Sequence, residues 1–277
     1  MTMPIRQVLS PTETRQLDTA GLRENYLIED LFQSGQINMT YSHLDRTIVG
    51  GVIPTDGPLT LESEKQVGSP NFLDRREMGV FLLSGAGTVT VDGDQQVMEA
   101  HDCLYIPMGC KDVSFESTGT TPAHFYFNST PAHHRYALRK IGKDDAIRHD
   151  LGEAKDANVR VLSQYIHPDV CDSCQLVMGM TSIQDGSVWN TMPAHIHDRR
   201  SEVYLYFDMA DETRVFHMMG EPTETRHLVV AKEQAILSPG WSIHCGAGTG
   251  SYAFIWSMGG DNQDFTDMDF VAMEDLR

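Results

Sequence analysis

Residues 191–207 read TMPAHIHDRRSEVYLYF, and this stretch decides how the rest of the chain is read. His195 and His197 are two apart, so on a β-strand both imidazoles leave one face while Ile196 leaves the other. The polar DRRS that follows is short enough for a turn, and a second β-prone run opens at Glu202. Such a turn sets the Glu202 carboxylate beside the two histidines. Alternation then places Tyr204 and Tyr206 on the inward face with Glu202, and Val203, Leu205 and Phe207 on the other. Tyr204 is then either a phenol able to donate to a substrate oxygen or a buried tyrosine satisfied by backbone. Downstream, LSPGWSIHC turns at Pro239 and Gly240 ahead of His244, a fourth candidate ligand in strand-like sequence.

A lone H-x-H pair arises readily by chance in a chain with 12 histidines, so the case rests on convergence from separate strands. The pattern H-x-H-x4-E followed by P-x4-H resembles the paired metal-binding motifs of the cupin superfamily. Cupins are small β-barrels that hold a divalent metal by three histidines and one glutamate. Gly240, directly after the proline, departs from the usual spacing by one residue. Three neutral imidazoles and one carboxylate suit Zn, Fe, Mn, Co or Ni.

The chain has 277 residues, 40% hydrophobic and 22% charged, the composition of an ordinary globular protein. A chain of this length buries about 70–75% of its unfolded surface, enough for two small cores. A formal net charge of −18 and a pI near 4.9 oppose binding to nucleic acid or anionic membranes. An anionic small-molecule substrate must therefore be met by a local cluster of Arg or His. The start, MTMPIRQVLS, carries no signal-like apolar core, and no apolar run of about 18 residues occurs, so a cytoplasmic protein is expected. Five cysteines fit a reducing compartment better than a disulfide framework. Cys171 and Cys174 form one unmatched C-x-x-C, read as packing. Cys245 points away from His244 and belongs to a core. The sequons at Asn38 and Asn128 would not be presented for glycosylation in that compartment.

In chain order, Ser10-Pro11-Thr12-Glu13 reads as a capping box with proline at the first helical position. A second helical patch over residues 22–32 places Leu27, Leu31 and Phe32 on one side. From Ile37 the text becomes short β-prone runs broken by Gly, Pro, Asp and Asn. The pattern occurs twice. Gly50, Asp56 and Gly57 match Gly179, Asp185 and Gly186 at an offset of 129, and Pro107 matches Pro239 at 132. The expectation is an all-β bicupin of two tandem cupin-type barrels: a helical N-terminal segment 1–36, a first barrel 37–130, a linker 131–158 and a metal-binding barrel with its tail 159–277.

Only the second barrel retains ligands. Met78 stands at the first barrel's equivalent of Glu202, and Asp112 at that of His244. Glu77 is one residue off and faces the other side of its strand. The first barrel is read as serving packing and assembly. The linker carries a dense basic cluster, including Arg135, Arg139, Lys140 and Lys143, read as a solvated connection or a salt-bridged subunit contact. His133 and His134 are adjacent and so cannot share a metal. Past the second barrel's tyrosines, VFHMMGEPTETRH carries His217, Arg226 and His227. Arg226 is either the receptor for a substrate carboxylate, since a guanidinium fork matches a carboxylate, or a surface partner of Glu221 or Glu224.

Longer phrases extend the motif: YSHLDRTIVGG, WNTMPAHIHDRR, VFHMMGEPTETRH, SPGWSIH, FIWSMGGDNQ and the terminal DMDFVAMEDLR. They resemble those of the bacterial 5-keto-4-deoxyuronate isomerases of pectin degradation, also called 4-deoxy-L-threo-5-hexosulose-uronate ketol-isomerases. Ala194 and Cys245 depart from the Cys and Ser of those relatives. The resemblance implies a zinc-containing hexamer that converts 5-dehydro-4-deoxy-D-glucuronate to 3-deoxy-D-glycero-2,5-hexodiulosonate. It carries the zinc ligands over to His195, His197, Glu202 and His244, one ion per chain. An aldose-to-ketose shift moves a proton between adjacent carbons through an enediol, which needs a Lewis acid at the oxygens and a base near the C–H. Glu202 is the candidate proton acceptor, with Tyr204 and Arg226 as substrate-binding candidates. An iron-dependent cupin dioxygenase would use the same four ligands and require oxygen. A sugar-binding cupin would bind without turnover.

Overall fold

The computed structural model describes residues 3–261 and 267–277. Met1 and Thr2 of the N-terminal stretch lie outside the described residues, as do Asn262 and Gln263, which end the FIWSMGGDNQ phrase. The chain divides into two compact units. One comprises Met1–Arg6, Asp30–Ile147 and Tyr165–Met178, the other Gln7–Glu29, Arg148–Gln164 and Gly179–Arg277. Among the described residues no helix is long and apolar enough to cross a membrane.

The short β-prone runs form strands in one order used twice. A seven-stranded sheet has the central sequence Ile37–Ser42, Ile48–Val52, His124–Pro131, Arg76–Ser84, Cys103–Ile106. A second seven-stranded sheet repeats it as Arg160–Ile166, Val177–Ile183, Ala253–Gly260, Arg200–Phe207, Gln234–Ser238. Each is accompanied by a four-stranded sheet: Leu59–Thr60, Val113–Ser117, Ala86–Val91, Asp94–Glu99 in the first case, and Trp189–Asn190, Cys245–Gly248, Val215–Glu221, Glu224–Val230 in the second. The all-β expectation holds.

Side chains repeat as well. A Cβ placed on Gly50 would lie 2.1 Å from the Phe127 ring, and one on Gly179 would lie 2.1 Å from the Trp256 ring. Glycine is required at both places because an aromatic ring lies directly across the backbone. Register fixes the equivalence of the key strands: Met78 pairs with Ile106 and Ser129, and Glu202 with Ser238 and Met258. Pro107 and Pro239 each follow the first of those partners.

The first unit fills its interior with apolar side chains, among them Met78, Val80, Leu82, Phe115, Phe125 and Phe127. Glu77, on the opposite face of the same strand, is fully buried. Its carboxylate accepts from the Tyr105 hydroxyl at 2.8 Å and from the backbone N–H groups of Cys174, Gln175 and Leu176 at 2.7, 2.9 and 2.9 Å. Cys174 and the two residues after it thus supply backbone donors to a buried side chain, and both cysteines of the C-x-x-C are free thiols.

At the N-terminus Ser10 and Glu13 close the expected capping box, on a helix of only four residues, Pro11–Thr14. The second helix differs from the expected 22–32. It runs Thr19–Tyr26, capped by Asp18, and stops because Leu27 turns extended and Leu27–Ile28 pairs with the Gln234–Ser238 strand. Leu27 and Leu31 are nonetheless buried. The basic stretch after residue 131 is not purely a solvated connection. Arg139–Ile141 pairs with Cys103–Ile106, Arg135 donates to the Met108 carbonyl at 2.8 Å, and Lys140 lies 3.2 Å from Asp102. His133 and His134 belong to no potential metal group among the described residues.

Candidate metal centre

The site is assembled from three separate pieces of the second unit. The strand His195–Ile196 pairs with Asp269–Phe270. His197 follows it, and a turn at Asp198 and Arg199 leads into the Arg200–Phe207 strand. The turn read in DRRS is therefore present. Glu202 is the third residue of that strand, held between Ser238 and Met258. His244 arrives through the turn in which Ser242 N–H donates to the Pro239 carbonyl at 2.9 Å. Gly240 makes the approach possible. Its carbonyl accepts from His197 N–H at 3.1 Å, and a Cβ there would lie 2.3 Å from the His197 carbonyl oxygen.

His195, His197, Glu202 and His244 are all buried, and their ligand atoms lie within 4.8 Å of one another. His244 Nε2 is 2.9 Å from His195 Nε2 and 3.0 Å from Glu202 Oε2, and His197 Nε2 is 3.5 Å from Glu202 Oε2. Donors about 2.0–2.1 Å from a common tetrahedral ion stand roughly 3.3–3.5 Å apart; the His197–Glu202 spacing matches this and the two His244 spacings are a few tenths shorter, so the cluster is compact enough for a single metal. The outer nitrogens agree. His244 Nδ1 faces the Ser242 carbonyl at 3.3 Å and His197 Nδ1 the Asp267 carbonyl at 3.4 Å. Carbonyls only accept, so His244 carries its proton on Nδ1 and turns the Nε2 lone pair inward, while His197 Nδ1 lies 3.4 Å from both the Asp267 carbonyl and Arg200 Nη2. His195 Nδ1 has no hydrogen-bond partner among the described residues.

Electrostatics favour the ligating forms. Burial, reinforced by the neighbouring His244, pushes His195 down to about 2, leaving it neutral. Burial raises the Glu202 carboxyl, but contact with His244 and His197 outweighs this and holds it well below its ordinary value, so it remains an anion. Burial and then the Glu202 charge raise the Tyr204 phenol, which keeps its proton. The chemistry of this donor set fits a borderline divalent ion.

The ligands open onto a cavity of about 240 Å³ with apolar walls that include Leu162, Phe254, Trp256 and Met258. Tyr204 lines it, as expected, whereas Tyr206 turns its hydroxyl to His217 Nδ1 at 2.7 Å. His217 is fully buried and pushed down to about 3 by burial and then by His244. Cys245 is buried with Ala194 and Ile243 in a small core, as expected.

The structure does not bring Arg226 to this cavity. Its Nη2 donates to the backbone carbonyls of Arg15 and Leu17, at 2.5 and 3.2 Å, on the part of the sheet covered by the N-terminal segment. Glu221, one of its expected surface partners, instead accepts from Arg15. Two arginines not foreseen as site residues line the cavity, Arg160 and Arg200. Arg200 is buried and lies 2.6 Å from Asp267, whose carboxylate is also 3.5 Å from His197 Nδ1. A signal for Arg200 existed: it has the same parity as Glu202 on one strand. Arg160 and Asp267 carried none.

The KduI/IolB family model matches residues 26–273. A protein named 4-deoxy-L-threo-5-hexosulose-uronate ketol-isomerase from Cereibacter sphaeroides is 54% identical over 273 residues, covering 99% of this chain and 98% of that one. A protein of the same name from Halalkalibacterium halodurans is 50% identical, covering 99% of this chain and 100% of its own. Among solved structures, an IolB-like protein from Salmonella typhimurium superposes with a TM-score of 0.72 at 16% identity, over 89% of this chain and 97% of that one, a likeness of fold. With a family model spanning most of its length and full-length relatives at half identity, this chain belongs to the KduI/IolB family, alongside members named as ketol-isomerases.

Proposed function

We propose that this protein is a zinc-dependent ketol-isomerase that interconverts 5-dehydro-4-deoxy-D-glucuronate and 3-deoxy-D-glycero-2,5-hexodiulosonate. The observation that carries the reading is the convergence of three imidazoles and one carboxylate on a small cavity, in a chain whose full-length relatives bear that enzyme's name. His195, His197, Glu202 and His244 would hold one ion per chain. When bound, that ion supplies Lewis-acid polarisation of a carbonyl.

The remaining chemistry belongs to the protein. The Glu202 carboxylate, kept anionic by its neighbours, accepts the proton that leaves carbon. The Tyr204 phenol, kept protonated by burial and by Glu202, donates to a substrate oxygen. Apolar walls keep bulk water from the enediol and strengthen each of these interactions. We further propose that the first barrel, residues 37–130, serves packing and assembly of a cytoplasmic homo-hexamer, with the metal chemistry confined to 159–277.

The test is an anaerobic assay on the ketouronate with elemental analysis of the same preparation. About one zinc per chain with full turnover in the absence of oxygen is expected. Turnover that stops without oxygen would point to the iron dioxygenase instead, and binding without turnover to a sugar-binding protein. Light scattering checks the hexamer, which a monomer at micromolar concentration would refute.

A further inference from the structure

We propose that Arg160 receives the carboxylate of the sugar-acid substrate, because it is the cavity's cationic side chain that, among the described residues, no carboxylate engages. This rests on the isomerase reading above and extends it from the reacting carbons to the anionic end of the substrate. The cavity wall carries two guanidinium groups, Arg160 and Arg200. Arg200 lies 2.6 Å from Asp267 and is committed to that pair. Among the described residues Arg160 donates to two neutral acceptors, the Asn158 carbonyl at 3.0 Å and Thr191 Oγ1 at 3.3 Å. Among the described residues no carboxylate lies within ion-pair reach of it.

A guanidinium carries five N–H donors, and these two acceptors leave the others for a ligand. Arg160 opens the Arg160–Ile166 strand, and Leu162, two residues on, lines the same cavity. Strand alternation therefore aims Arg160 at the ligand space. Its partial burial lowers its pKa, the direction expected of a cation that has lost water without gaining a counter-ion. In a chain of net charge −18, such a group is the local receptor that an anionic substrate requires. Thr191 steadies the guanidinium, so its fork is held ready for a two-bond grip.

The test uses full-length, metal-loaded protein and three variants, Arg160→Met, Arg160→Gln and Arg160→Lys. Two inert linear probes, D-gluconate and sorbitol, differ only in carboxylate against alcohol and are titrated calorimetrically beside steady-state kinetics on the ketouronate. Arg160→Met should raise KM by about 10- to 100-fold with a smaller change in kcat, and weaken gluconate equally. Sorbitol binding and metal content should stay at the wild-type level. Arg160→Lys should fall between the two, having charge without the fork. Should Arg160→Met fail to fold, Arg160→Gln decides the same question. Unchanged KM and gluconate affinity in a folded, metal-loaded variant would overturn the assignment, as would a wild type that does not prefer gluconate to sorbitol. If the wild type fails to turn over the ketouronate, the isomerase reading falls while the gluconate and sorbitol comparison still decides Arg160.

Discussion

Arg76 and Arg200 open equivalent strands in the two units, and their partners show how one backbone came to serve two ends. Arg76 is buried and donates to the carbonyls of Ser129 and Arg46 and to the Ser129 hydroxyl, all neutral, and burial pushes it down to about 10. Arg200 takes the Asp267 carboxylate beside a candidate metal ligand. Further along the inward face, Met78, Val80 and Leu82 of the first unit stand where the second has Glu202, Tyr204 and Tyr206. Each apolar member of the first series contributes roughly 1.5–3 kcal/mol by burial. Each polar member of the second must be satisfied locally, Tyr206 by His217 and Glu202 by the histidines. The sheet order tolerates either interior; an ion held by the polar one would contribute part of that unit's stability.

The harshest test of that contrast is Met78→Glu. It copies Glu202 into the first unit without the histidines, so a carboxylate is buried in apolar surroundings and stability should fall by roughly 3–5 kcal/mol, read by chemical denaturation. Metal content should stay at one ion per chain, and a second ion would erase the distinction. In the other direction, Glu202→Gln should cost metal affinity on the order of 1,000-fold. A four-ligand zinc site binds with roughly 10–16 kcal/mol, so one ligand accounts for about 3–4 kcal/mol. Competition with a chromogenic chelator measures it, and isomerase activity should vanish with the ion.

Glu77→Gln probes the first unit's own buried acidic side chain. Turning an amide toward the three backbone N–H donors should cost about 2–3 kcal/mol in thermal or denaturant unfolding while leaving metal content intact. Asp267→Asn should weaken metal binding by about 10-fold, because it removes the carboxylate charge beside His197 and Arg200 while leaving the backbone carbonyl that His197 Nδ1 faces. An unchanged affinity would show that His197 is oriented by its backbone alone. The smallest effect is expected of Arg226→Lys. It keeps a donor near the Arg15 and Leu17 carbonyls and should alter stability by under about 0.5 kcal/mol, with KM unchanged. A raised KM would return Arg226 to the substrate.

The convergence of His195, His197, Glu202 and His244 was legible because its geometry is local: two residues of strand spacing, one tight turn and one proline-led turn bring the four side chains together almost without tertiary information. The repeat was legible for a related reason, since Gly50 and Gly179 must each yield to an aromatic ring and so keep their spacing to Phe127 and Trp256. Arg226 shows where such reasoning stops. It reads as a carboxylate receptor or a surface partner of Glu221 or Glu224, and neither holds, because the sheet at that point is covered by residues 11–17 from the far end of the chain. The second helix failed in the same way, cut short at Leu27 by a strand partner more than 200 residues away, roughly, which no window of helical periodicity contains. Arg160 left no trace because a single arginine at the head of a strand is chemically informative only once its lack of a carboxylate is visible.

That long-range pair sets a timetable for synthesis. Leu27–Ile28 is an edge strand, and its partners Ile236 and Ala235 are made roughly 210 residues later. At about 5–20 residues per second, a ribosome takes about 10–40 s to bring them out. Throughout that interval a nascent chain carries an apolar edge with no mate, whereas the first unit's sheets have all their strands once Arg139–Ile141 is made, about midway through it. The second unit is therefore completed late, and a chaperone that shields Leu27 and Ile28 during elongation should raise its folding yield more than the first unit's.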